Sequence, residues 1–193
     1  KRSLEIAEIL GADNVRLFSF FTPGDNRSDY KDKVIERLGV FAEIAKGTGI
    51  TLCHENEKGI YGDVPERCLE IHKALPEIKA IFDPANYVQC GVDTLKAWEM
   101  IKPYVKYLHI KDALADGNVV PAGKGVGNLK YILDDFKKNG GDSLTIEPHL
   151  TVFAGLADLE KEGDKSVVGE VYRYPSNKAA FAAAADALKE LLA

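Results

Sequence analysis

The chain has 193 residues, 46% hydrophobic and 28% charged, with a net charge of −5. Those values allow a buried core and exclude a disordered or collagen-like polymer, and no apolar run nears the roughly 20 residues that cross a bilayer. Acidic residues outnumber basic ones 30 to 25, which disfavours an extended duplex partner. Cys53, Cys68 and Cys90 form no CxxC pair and fit the reduced thiols of a cytoplasmic protein better than a disulfide frame. Lys1-Arg2-Ser3-Leu4-Glu5 carries charge inside an amphipathic pattern, unlike a signal or transit peptide.

Helix and strand periods alternate along the whole chain. Leu4 to Leu10 has helical spacing and stops at Gly11. Asn14 to Phe21 reads as a strand, and the apolar positions from Tyr30 to Lys46 recur as in a helix closed by Gly47 and Gly49. Ile50 to Cys53 is a short buried strand, followed by a helix from about Val64 to Leu75. Lys79 to Phe82 leads to Asp83-Pro84, then a helix from about Thr94 to Ile101. Val105 to Ile110 is a strand, and a glycine-rich loop leads to a helix from Leu129 to Asn139. Ser143 to Ile146 is the last strand, and Asn177 to Leu192 the closing helix, capped near Ser176.

Short apolar strands alternating with amphipathic helices mean parallel βαβ units, expected to form one domain over residues 1–193. An α/β chain that opens with a helix lacks the strand that would precede it. Five parallel strands can belong to an open doubly wound sheet or to a closed barrel, and the polar residues decide. Each of the last four strands ends in a metal-capable side chain: Glu55, Asp83, His109 and Glu147. A barrel gathers the C-terminal ends of its strands into a ring, whereas an open sheet spreads them along an edge too long for one ion. Taken singly, a strand-end carboxylate is more often a cap or turn residue, and a strand histidine is more often core. Four at successive strand ends support barrel and site together.

Three carboxylates and one imidazole suit a divalent cation, Mn²⁺ first, with Mg²⁺, Co²⁺ or Zn²⁺ as alternatives. Such an ion polarises an α-hydroxycarbonyl and stabilises the enediolate left when a C–H proton is removed.

Several stretches stand in the order found in one superfamily. They are Leu52-Cys53-His54-Glu55-Asn56, Phe82-Asp83-Pro84-Ala85-Asn86, Tyr107-Leu108-His109-Ile110-Lys111-Asp112, Pro121-Ala122-Gly123-Lys124-Gly125 and Thr145-Ile146-Glu147-Pro148-His149. The chain resembles the sugar isomerase/epimerase superfamily with the xylose-isomerase-like (β/α)₈ TIM barrel over nearly its whole length. The resemblance implies that these are the fourth to eighth strands, with about 70–100 residues of a typical barrel absent. It also implies a divalent-metal-dependent isomerase or epimerase of a sugar or sugar phosphate, in which Glu55 and Glu147 act as the acid/base pair and also ligate the metal. A homo-oligomer, dimer or tetramer, is expected, with a small-molecule sugar or sugar derivative as partner and neither nucleic acid nor membrane. Asn86 departs from the pattern, standing where sugar epimerases often have a histidine. An amide binds a hydroxyl but does not shuttle a proton near neutral pH.

Lys111 and Asp112 follow the metal histidine directly, with Lys111 expected on its side of the strand and on a substrate oxygen. Asp112 is its partner or lies behind it, and Asn86, His54 and Arg16 complete the expected substrate contacts. Gly123-Lys124-Gly125-Val126-Gly127 is a flexible loop or, given its place in a barrel, a phosphate site. His149 is a pocket candidate, His72 reads as a surface residue and Trp98 as helix packing. The long stretch from Leu150 to Tyr174 offers Phe153 and Leu156 as an apolar lid or a dimer contact. Inosose dehydration and hydroxypyruvate isomerisation are neighbouring chemistries. The alternatives are an apurinic-site endonuclease-like metallohydrolase and a non-catalytic sugar-binding barrel fragment. The endonuclease needs three zincs and further histidines; Asn86 replaces one expected ligand, and no Asp-x-His follows His109.

Overall fold

A computed structural model describes residues 1–24, 26–151 and 171–193. Helix α1 (Arg2–Leu10) precedes β1 (Asn14–Leu17), and a 3-10 turn (Arg27–Tyr30) runs into α2 (Lys31–Ala45). Then come β2 (Thr51–Glu55), α3 (Pro65–Ala74), β3 (Lys79–Phe82), the short α4 (Pro84–Gln89), α5 (Thr94–Ile101) and β4 (Val105–Ile110). A small hairpin of β5 (Asp112–Ala113) and β6 (Val119–Val120) leads to α6 (Leu129–Lys138), β7 (Leu144–Ile146) and α7 (Asn177–Leu192).

Strands β1-β2-β3-β4-β7 form one parallel five-stranded sheet. It is a partial barrel: it curls far enough that Arg16 on the first strand reaches Glu147 beyond the last, Nη1 to Oε1 being 3.1 Å. Local chemistry sets the boundaries. Gly11 ends α1 in the left-handed conformation (φ 64°), which a glycine adopts without Cβ strain. Asp93 caps α5 by accepting from Leu95 and Lys96 N–H, and Ser176 caps α7 by accepting from Ala179 N–H.

The strand pleat sorts side chains onto two faces. On the outer face Leu52 packs with Val34 and Leu38 of α2, while Phe82, Leu108 and Ile110 pack with Trp98, Ile132 and Phe136 of α5 and α6. Trp98 is the centre of that layer, edge-on to Phe82 at 5.2 Å, with its indole N–H donating to Asp135 at 2.8 Å.

Three expectations change here. Strand β1 stops at Leu17 rather than Phe21, which instead makes an isolated antiparallel bridge to Ile60. Strand β2 runs on to Glu55, past the expected end at Cys53. His72 is not a surface residue: it is 1% exposed, its Nδ1 lies 3.0 Å from the Ile78 carbonyl and its ring stacks on Tyr104. The expected lid residues Phe153 and Leu156 lie outside the described residues.

Candidate metal centre

Four strand ends deliver four side chains to the inner face. Glu55 is the last residue of β2, Asp83 follows β3 as the N-cap of α4, His109 lies in β4, and Glu147 follows β7. One ligand atom from each lies within 4.8 Å of all the others. His109 Nδ1 is central: 2.9 Å from Glu55 Oε1, 3.2 Å from Glu147 Oε2 and 3.9 Å from Asp83 Oδ2.

The surrounding chain holds these groups in place. Asp83 Oδ1 accepts the Asn86 N–H at 2.9 Å, capping α4. The Asn56 side chain spans β2 and β3, donating to the Asp83 carbonyl and accepting the Asp83 N–H, each at 2.9 Å. With backbone and one oxygen fixed, Asp83 Oδ2 points at the cluster. Glu147 N–H donates to the Ile110 carbonyl at 3.3 Å, continuing the β4–β7 ladder to the ligand.

Lys111 projects to the same side as His109, as alternation requires, and is 4% exposed. Its Nζ lies 2.9 Å from Asp83 Oδ2 and 3.4 Å from Glu147 Oε2. The contact to Asp83 is an ion pair without hydrogen-bonding alignment, so Oδ2, in a fully buried carboxylate, accepts no hydrogen bond from the described residues. Burial pushes the Asp83 carboxyl up, Lys111 opposes this, and Glu55 and Glu147 reinforce it. Burial would also raise Glu147, but its hydrogen bond from His109 and the Lys111 charge hold it well below the usual carboxylate range. His109 feels burial, which lowers its pKa, but hydrogen bonds to Glu147 and Glu55 lift it to about 9. The donor set fits a divalent cation. Crowded carboxylates, an imidazole among them and an orphaned Asp83 oxygen are relieved together by one positive ion.

Arg16 Nη1 touches Glu55 Oε2 at 3.0 Å and Glu147 Oε1 at 3.1 Å, so one nitrogen spans the first and last strands. Asn86 Nδ2 lies 3.3 Å from Glu55 Oε1, 3.3 Å from Glu57 Oε2 and 2.8 Å from the Asn56 carbonyl. His149, with φ at 42°, has Nε2 3.9 Å from Glu147 Oε1.

Two expected substrate contacts lie elsewhere. His54 immediately precedes Glu55, so the pleat turns it to the outer face, where it packs 5.9 Å from the His72 ring with neither ring nitrogen hydrogen-bonded among the described residues. Asp112 turns into the loop after β4, where its carboxylate accepts backbone N–H groups of Ala113, Gly123, Gly125 and Gly127. Sequence reasoning missed Glu57 and the bridging role of Asn56. Glu57 is mostly buried beside Asn86; burial raises its pKa, and Lys111 opposes this. The only sequence signal was a second acid two residues past the expected ligand.

Solved structures share this fold. A D-tagatose 3-epimerase-like protein matches with TM-score 0.71 and 20% identity over 98% of this chain and 66% of its own. The IOLI protein with a binding zinc atom matches with TM-score 0.74 and 16% identity over 99% and 66%. A xylose isomerase-like TIM barrel protein from Mycobacterium smegmatis, in complex with magnesium, matches with TM-score 0.68 and 18% identity over 98% and 64%. The chain therefore spans slightly less than two thirds of the length of each. No curated protein matches the sequence. Residues 1–191 match the xylose isomerase-like TIM barrel family, the fold whose strand ends the cluster occupies, and the chain belongs to that family.

Proposed function

We propose that the protein is a divalent-metal-dependent isomerase or epimerase of a sugar or sugar derivative, with Glu55 and Glu147 as its two proton-transfer groups. The observation that carries this reading is the convergence of Glu55, Asp83, His109 and Glu147 within 4.8 Å. The D-tagatose 3-epimerase-like relative supports the sugar class.

Glu55, Asp83, His109 and Glu147 would hold the ion, Mn²⁺ by the hardness of the set, although two of the relatives described above carry zinc and magnesium. When bound, it supplies an electrophile for negative charge on adjacent substrate oxygens. The chain's own groups do the rest. The two glutamates flank His109 Nδ1 and share Arg16 Nη1, so they face one another across a narrow mouth. One carboxylate takes a proton from a carbon beside the carbonyl, and the other, protonated, delivers its own proton to the opposite face, after which both exchange with solvent. Lys111 supplies a buried positive charge beside the oxygens, and Asn86 donates to Glu55 and holds it in line. We extend the proposal to a cytoplasmic homo-oligomer, dimer or tetramer. Three free cysteines and the exposed apolar residues Ile6, Ile9 and Leu10 on α1 support it.

The test is a panel of free sugars incubated in D₂O with protein and added Mn²⁺, Co²⁺ or Mg²⁺. Solvent deuterium should enter the product at the carbon beside the carbonyl. Turnover without deuterium, or a metal titration with no saturable binding, would overturn the reading.

A further inference from the structure

The segment Gly123-Lys124-Gly125-Val126-Gly127 stands where barrels often cradle phosphate, and its backbone N–H groups do converge as in an anion nest. That nest already holds an anion. Gly123 and Gly125 N–H donate to Asp112 Oδ2 at 2.9 and 3.0 Å, and Gly127 and Ala113 N–H donate to Oδ1, each at 2.9 Å. Asp112 is fully buried and has no ion-pair partner among the described residues, so these four donors are what its charge has.

The fit is steric as well as polar. A Cβ on Gly127 would stand 2.6 Å from Asp112 Oδ1, and one on Gly125 would collide with the same oxygen and with the Ala113 carbonyl. Gly125 and Gly127 are therefore accounted for by the close approach of Asp112 rather than by a ligand, and Gly123 by its φ of 81° and its contact with Leu191. A phosphate brought here would meet engaged donors and a like charge.

The mouth of the cluster shows the same bias. Among the described residues, the two cations that touch it, Arg16 and Lys111, are both paired with carboxylates. Acceptors, in contrast, are in excess. Among the described residues, Glu57 accepts only the Lys58 N–H at 2.8 Å and the long Asn86 contact at 3.3 Å. Such a surface calls for a ligand that brings hydroxyl donors.

We infer that the substrate is an uncharged polyhydroxylated sugar rather than a sugar phosphate, with Asp112 as the built-in anion of the glycine-rich loop and Glu57 as acceptor for a substrate hydroxyl. The word substrate rests on the isomerase reading above; the occupied nest does not.

Backbone amide signals of Gly123, Gly125 and Gly127 can be followed by ¹⁵N NMR in the metal-free full chain as inorganic phosphate, and then a ketose phosphate, is added. They should stay in place up to about 10 mM. In parallel, the metal-loaded protein should turn over free ketoses with kcat/KM about tenfold or more above that of their phosphate esters. Saturable movement of those three signals in the wild-type protein, or preference for the esters, overturns the inference. Should no sugar be turned over, the isomerase reading falls while the amide titration still decides the nest. Asp112→Ala provides the converse: its vacated amides should respond to phosphate, and a folded variant whose amides ignore it would remove Asp112 from this role. If that variant does not fold, the wild-type titration stands alone as the test.

Discussion

His54 on β2 and His109 on β4 lie in one parallel sheet with β3 between them, are 1% and 3% exposed, and have opposite fates. His54 faces the helix layer against His72, and burial, helped by that neighbour, pulls its pKa down to about 3. His109 faces the barrel interior among three carboxylates and is lifted to about 9. Burial opposes the imidazolium in both; partners on the inner face overcome it. The outer face thus holds histidine as a neutral packing group, and the inner face holds it as part of a charged cluster. A single step along the strand, from His54 to Glu55, crosses from one regime to the other.

The largest effect that would break this division is on chemistry. Glu147→Gln should lower kcat by about 10³-fold while circular dichroism stays unchanged, because an amide keeps the shape but carries no proton. Wild-type-like turnover would end the two-base proposal.

Next comes a double dissociation. His109→Ala should weaken divalent-metal affinity by about 100-fold in a calorimetric titration. His54→Ala should leave metal affinity unchanged but cost about 2 kcal/mol in denaturant unfolding, through the cavity it opens among helix-packed residues. The cost is moderated because two unbonded ring nitrogens leave with the side chain. Equal metal loss in both variants would erase the distinction between the faces. A smaller effect probes the outer face from the opposite side. A Cβ at Gly62 would collide with the His54 ring, so Gly62→Ala should destabilise by about 1–3 kcal/mol with metal affinity intact.

Much of this division was legible in the sequence. Leu108-His109-Ile110-Lys111 alternates apolar and polar, so His109 and Lys111 on one face followed from the pleat alone. Asp83 was legible because a strand, an acid and a proline are adjacent, although its double use as helix cap and cluster member needed coordinates. His54 was misplaced because the strand was ended at Cys53, which left the next residues free to be imagined on one side. Once β2 includes Glu55, consecutive residues must oppose one another. His72 was recoverable too: Cys68, Ile71 and His72 share one helical stripe, and all three are buried. Asp112 was not recoverable. Three of its four partners lie 11 to 15 residues further on, and only the return of that loop tells a carboxylate that binds its own backbone from one that faces a ligand. Glu57 lies beyond the strand, where periodicity says nothing about direction.

The last effect follows from the pH dependence of the two faces. Burial lowers His72 to about 4 and His54 to about 3, below the ordinary histidine value near 6.5. Between those values the unfolded chain binds protons that the folded chain refuses, so their stabilisation is complete above about pH 6.5 and falls as pH falls. Each can contribute a slope of up to about 1.4 kcal/mol per pH unit. His109 has the reverse sign. Its folded pKa is raised, so in chelator-treated protein its stabilisation is complete below about pH 6.5 and is lost as pH rises toward about 9. Urea midpoints measured from pH 5 to pH 9 should therefore show two limbs of opposite slope. His72→Phe should roughly halve the slope of the acid limb, the rest being that of His54, and leave the alkaline limb unchanged. Saturating divalent ion should flatten only the alkaline one, because ligation requires the neutral imidazole and removes the proton whose loss produced the slope. An alkaline limb unchanged by metal would mean that His109 keeps its proton with the ion present, and would place the ion outside this cluster.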